Sequence, residues 1–68
     1  MYVLTITENN ELKYFSNLSY NGIFTDSDIH KSVIFTSSSS ASAQSTILHE
    51  IDANRTFTVK QITLQDIS

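Results

Sequence analysis

Apolar and polar positions alternate at the start of the chain and change period further on. In Tyr2-Val3-Leu4-Thr5-Ile6-Thr7 the side chains of Tyr2, Leu4 and Ile6 fall on one face and Val3, Thr5 and Thr7 on the other, in a run rich in β-branched and aromatic residues. This predicts a strand buried on its first face. Glu8-Asn9-Asn10-Glu11 follows as a four-residue polar connection in which asparagine tolerates left-handed backbone angles, and Leu12-Lys13-Tyr14-Phe15 returns antiparallel as a hairpin.

From Ser16 to Gly22 the chain is polar, with Leu18 and Tyr20 as isolated apolar positions, and reads as a loop. Phe24-Thr25-Asp26-Ser27-Asp28 reads as a helix start, with Thr25 capping free amides and Asp26 and Asp28 beside the positive end of the dipole. Ile29 anchors this short turn, which needs packing to hold it. Val33-Ile34-Phe35 is a short apolar run between Ser32 and Thr36 and suits a strand covered on both faces. After the serine tract, Ala41, Gln44, Ile47, Leu48 and Ile51 share one face at helical spacing, with Thr36 or Ser37 as cap and Asn54 able to terminate. Thr56 to Leu64 alternates again. Phe57 and Val59 share one parity and Ile62 and Leu64 the other, so either a bulge near Lys60 and Gln61 resets the strand or its end serves another apolar surface.

The order predicts one small α+β domain over residues 1–68. Its antiparallel sheet has about four strands, namely the two amino-terminal runs, Val33 to Phe35 and the carboxy-terminal run, with the Ser38 to Asp52 helix packed on one face. Ile23 to Ile51 is expected to supply most of the core.

Composition narrows the function classes. The chain has 68 residues, 40% hydrophobic, one glycine, no proline and no cysteine, which is globular and leaves no disulfide or thiolate metal site to add stability. Net charge is -3, and the four basic residues, Lys13, Lys31, Arg55 and Lys60, are too scattered to follow a phosphate backbone. Direct nucleic-acid binding is not expected. Seven carboxylates in separated places are likewise too sparse for a nucleic-acid mimic. No apolar run approaches the roughly 18 residues of a membrane span, so the expectation is a cytoplasmic protein.

His30 and His49 lie far apart outside any His-Glu-x-x-His spacing, and read as solvent-facing histidines without a metal or cofactor. No serine sits in a Gly-x-Ser-x-Gly elbow, and helix capping accounts for Asp26 and Asp28. A domain this small encloses little, and no enzyme activity is expected. The remaining feature is aromatic. Tyr14, Phe15, Tyr20 and Phe24 cluster around the polar loop beside Asp26 and Asp28, and a strand cannot hide both Tyr14 and Phe15 on one face. Exposed rings beside carboxylates make anchors for a protein partner, so these six residues form the candidate partner-binding set. The competing reading is that the rings close a small core.

Phe24-Thr25-Asp26-Ser27-Asp28-Ile29-His30-Lys31-Ser32-Val33-Ile34-Phe35 resembles the Phe-Thr-Asp-Asp-x-x-Lys-Ala-x-x-Phe block of short, mostly uncharacterised proteins of phages and prophages of Gram-positive bacteria. Those proteins also open with two strands like Tyr2 to Ile6 and Leu12 to Ser16, and close with a helix and a valine-rich strand. Ser27 and Ser32 depart from the block, which has a second acidic residue and an alanine there. The resemblance implies an α+β fold and a phage setting in the bacterial cytoplasm, with no established activity. The expectation is a binding module that engages a host protein and inhibits a defence system such as a CRISPR nuclease. The alternative is a self-associating accessory protein, a homodimer joined through the carboxy-terminal strand.

Overall fold

The second hairpin, not foreseen as a hairpin, fixes how the sheet is laid out. The computed structural model describes residues 1–68 and contains strands β1 (Tyr2–Glu8), β2 (Glu11–Ser19), β3 (Gly22–Asp26) and β4 (Thr58–Gln61). Helix α1 spans Ser38–Ile51, helix α2 spans Leu64–Ile67, and a 3₁₀ turn covers Ile29–Lys31. The sheet is antiparallel throughout in the order β3-β2-β1-β4. The α+β class, with four strands and one main helix on one face, is the one expected from sequence.

Both hairpins are shaped by residues suited to positive φ. Glu8 pairs with Glu11, so the first connection is two residues and not four, with Asn9 at φ 55° and Asn10 at φ 65°. Two successive left-handed residues give a turn whose twist matches that of the strands. In the second hairpin Ser19 pairs with Gly22, and Gly22 takes φ 115° after the Tyr20-Asn21 turn, where a side chain would be strained. The expected loop from Ser16 to Gly22 is therefore the end of β2 and a tight turn. Phe24 and Thr25 belong to β3 and do not begin a helix; the residue that caps the following turn is Asp28, whose carboxylate accepts from the His30 N–H at 2.9 Å.

Val33 to Phe35 is not a fourth strand. Tyr2 and Phe35 exchange backbone bonds of 2.9 and 2.8 Å, and Val33 N–H donates to the Phe15 carbonyl at 3.0 Å, so this segment fills the opening where β1 and β2 part. Its middle residue, Ile34, stays 38% exposed and is not covered on both faces. The carboxy-terminal strand is also shorter than expected. It ends at Gln61, and Ile62 N–H still donates to the Met1 carbonyl at 2.8 Å before the chain turns into α2. The parity change is thus the end of the strand and not a bulge. Asp66 fixes the new helix by accepting from Thr63 N–H at 2.7 Å, a reciprocal cap that the Thr-Leu-Gln-Asp order encodes.

Leu4, Phe15, Ala41, Leu48 and Phe57 make the main core, with Phe15 and Phe57 edge to face at 6.1 Å. Three of these five lie outside Ile23 to Ile51, so the strands supply more of the core than the sequence pattern suggested. Val3 and Thr5 point away from α1 by strand alternation and are buried as well, as is Ile62. β1 is therefore buried on both sides, with α1 packed on one, while on the sheet the Ile29–Lys31 turn packs against β2 and α2 packs against that turn.

Helix α1 starts at Ser37, whose hydroxyl accepts from Ser40 N–H at 3.2 Å, and it is rotated from the expected face. Ala41 and Leu48 are fully buried, whereas Ile47 and Ile51 are 46% and 53% exposed. The rotation follows from close contact with β4. Ser45, between Ala41 and Leu48 on the stripe, donates to the Phe57 carbonyl at 2.8 Å, and only small side chains at 41 and 45 allow that approach. Leu48→Ala should accordingly cost about 2–5 kcal/mol in urea unfolding and Ile47→Ala less than about 1 kcal/mol, because only the first leaves a cavity. Equal losses would place the helix in the other rotation.

Candidate functional site

Strand β2 bends halfway along its length. Its ladder with β3 passes from Phe15 opposite Thr25 to Asn17 opposite Phe24, leaving Ser16 without a partner. One extra residue reverses the alternation, so Leu18 and Ile23 join Phe15 on the side facing α1, and it sharpens the local bend. Ile23 packs against the main core as this requires.

Arg55 reports the size of the bend. Glu8 lies opposite Glu11 and Ile23 opposite Leu18, positions separated by about 23 Å along a straight β2. Yet the Arg55 guanidinium donates to the Ile23 carbonyl at 3.1 Å and to Glu8 Oε1 at 3.2 Å. The outer half of the β2–β3 hairpin must therefore curl back toward the end of β1. Arg55 Nε also lies 3.1 Å from Glu8 Oε2, although it is not aligned for a hydrogen bond. The guanidinium further sits 5.5 Å from the centre of the Phe57 ring, a cation over an aromatic face.

The curl creates the one cleft of the molecule. Leu18, Ser19, Tyr20 and Gly22 from the hairpin tip and Ile51 from the end of α1 line about 510 Å³ that is open to solvent and mostly apolar. Tyr20 stands at the tip of the turn, wholly exposed.

The six candidate residues divide among four places, Asp28 being the cap of the Ile29–Lys31 turn. Phe15 is a core residue, 4% exposed, and its ring is not presented to a partner. Tyr14, half-buried, pairs across the sheet with Asp26, and Phe24, 44% exposed, is two residues from Asp26 along β3, so these three share the face away from α1. Asp26 Oδ1 accepts from Asp28 N–H at 2.8 Å, and Lys31 Nζ stands 3.9 Å from its other oxygen. Tyr20 alone belongs to the cleft. Its neighbours Leu18 and Ile51 were missed, the first because it looked isolated in a loop and the second because it fell on the expected buried stripe of α1.

The two histidines are exposed and tie segments together. His30 Nδ1 lies 2.9 Å from Asp28 Oδ1, and its Nε2 donates to the Ile67 carbonyl at 3.1 Å, which fastens α2 to the 3₁₀ turn. His49 Nδ1 donates to the Arg55 carbonyl at 3.1 Å and closes the connection after α1. No three His, Asp or Glu side chains converge as a metal site would need. No helix is long and apolar enough to cross a membrane. Comparisons with protein-family models, curated proteins and solved structures found no match.

Hydrogen bonding to the His30 N–H, then to its ring, holds the Asp28 carboxyl below the ordinary value of 3.8, with Lys31 adding a smaller attraction. A depressed folded-state value stabilises the ionised form, so the contribution is complete above pH 3.8 and is lost as pH falls through the lower folded value. A carboxyl carbon NMR titration should therefore place the Asp28 midpoint under 3.8. In the His30→Ala variant, which keeps the backbone bond and removes the ring, the midpoint should move part of the way back. A wild-type midpoint at or above 3.8 would contradict the capping geometry.

Proposed function

We propose that this chain is a protein-binding module that acts by occupying a partner's surface and not by catalysis. The observation that supports it most is uncovered apolar area: Leu18, Tyr20, Phe24, Ile47 and Ile51 are all exposed on a chain of 68 residues. Leu18, Tyr20 and Ile51 meet at the cleft while Phe24 lies on the opposite face of the sheet, and exposed apolar side chains on a small domain mark interaction surfaces, a tyrosine on a tight turn contributing large area at little entropy cost. The resemblance to phage and prophage proteins supports a bacterial host protein as the partner. It also supports the narrower reading that the partner is a component of a defence system, such as a CRISPR nuclease, which occupancy would inhibit.

Self-association through β4 is the second reading, and one observation favours it. By alternation from the Ile62 to Met1 bond, Val59 and Gln61 direct their N–H and C=O groups away from β1 along a free edge. Two features oppose it. A two-fold pairing centred on the strand would put Lys60 against its own copy, and Ser45 already occupies the next outward carbonyl, that of Phe57. We therefore favour a different protein as partner.

Immobilised wild-type chain and a Tyr20→Ala, Phe24→Ala double variant, incubated with lysate of a Gram-positive bacterium, test the proposal. Both rings are solvent-exposed, so the variant should keep its fold. The wild type should retain a host protein that the variant retains at least about tenfold less, as expected for two anchor residues. Retention of nothing above an unrelated acidic control of the same size would contradict it.

A further inference from the structure

The cleft between the β2–β3 tip and the end of α1 has features that select its occupant. At about 510 Å³ it has the volume of a small-molecule site, but a small ligand needs most of its surface enclosed and this cleft is open. A macromolecule brings the missing walls itself. The lining is apolar along Leu18, Tyr20 and Ile51, so the part that enters is an apolar side chain.

Charge decides what surrounds that side chain. Ile51 is flanked along the chain by Glu50 and Asp52, whereas Leu18 to Gly22 carries no charge. The ion pairs of the fold use Asp26, Asp28 and Glu8, which leaves Glu50 and Asp52 without a cation. Arg55, the basic residue nearest to Ile51 in the chain, is committed to Glu8 and the Ile23 carbonyl. The end of α1 that supplies Ile51 therefore carries two carboxylates without a cation, although Asp52 Oδ1 accepts from the Asn54 N–H at 3.1 Å. A second copy of a chain of net charge -3 would bring the same carboxylates to meet it.

Resting on the binding role proposed above, we infer that this cleft docks a basic protein segment, one that presents a leucine or an aromatic side chain between lysines or arginines. The apolar side chain enters against Leu18 and Ile51 beneath Tyr20. The flanking cations face Glu50 and Asp52, where they add specificity and speed of encounter more than tightness.

Two acetylated hexapeptides probe this, each with a Leu-Phe centre, one flanked by two lysines on each side and the other by two glutamates. Titrated into labelled protein at low salt, the lysine peptide should move the NMR signals of Leu18, Ser19, Gly22 and Ile51 first. It should bind at least about tenfold more tightly than the glutamate peptide. Ile51→Ser, at a half-exposed position, should weaken it about tenfold. Glu50→Gln with Asp52→Asn should weaken the lysine peptide about two- to fivefold and leave the glutamate peptide unchanged or improved. Equal affinity for the two peptides, or shifts confined to other faces, would overturn the inference. So would dilution-dependent shifts at these same residues without peptide, which would make a second copy the occupant. A host protein captured equally well by wild type and Ile51→Ser would overturn it while leaving the broader binding role intact.

Discussion

Arg55 reaches from the connection after α1 to the carboxylate at the end of β1 and to a backbone carbonyl of β3, while its guanidinium covers Phe57. These groups belong to different strands, and the ladder alone would keep Glu8 and Ile23 apart. Arginine suits the task because its planar head offers several donors in fixed directions and stays charged. Glu8 gains in turn, since it stands directly opposite Glu11 and the cation relieves that repulsion. The clamp carries a cost, because both partners are mostly shielded from water and Arg55 Nε has no aligned acceptor. What it secures is shape: the bent hairpin is held over the end of α1, and the cleft exists only in that arrangement.

The bend and the clamp act on a sheet whose centre is already fixed. β1 uses its first half to pair with β4 and its second half to pair with β2, and Val33 to Phe35 fills the gap left between β1 and β2. Both faces of β1 are covered, so a chain of this size obtains two small apolar layers in place of one large one. The second layer is the more exposed to loss. It is bordered by Ile62, from which the chain enters a four-residue helix fastened by the Asp66 cap and by His30, and so short a helix is stable only when held by packing.

Much of this was legible from residue order. Alternation in Tyr2 to Thr7, the two asparagines and the 41/48 spacing gave the first hairpin and the main helix, because each is decided by local backbone preference and one buried face. What the pattern hid was decided by tertiary contact. Ser16 carries no mark of a bulge, and its omission from pairing only makes sense once Leu18 and Ile23 have a core to face. Thr25 to Asp28 carries genuine capping chemistry, but β3 pairing takes Thr25 and the cap moves to Asp28. Ile47 and Ile51 match a buried stripe by spacing, and the Ser45 bond to Phe57 turns them outward. Of the candidate partner residues only Tyr20 reached the cleft. The aromatic cluster read from the chain is divided among the core, the outer sheet face and the hairpin tip.

The central claim is that Arg55 holds the curled hairpin against the end of α1. Nuclear Overhauser contacts between the methyl groups of Ile23 and the core side chains it packs against, compared in wild type and in Arg55→Ala, test it most directly. The account predicts strong contacts in the wild type and their loss in the variant, while the contacts of Phe15 with Phe57 persist. Contacts absent from the wild type, or undiminished without the arginine, would contradict it.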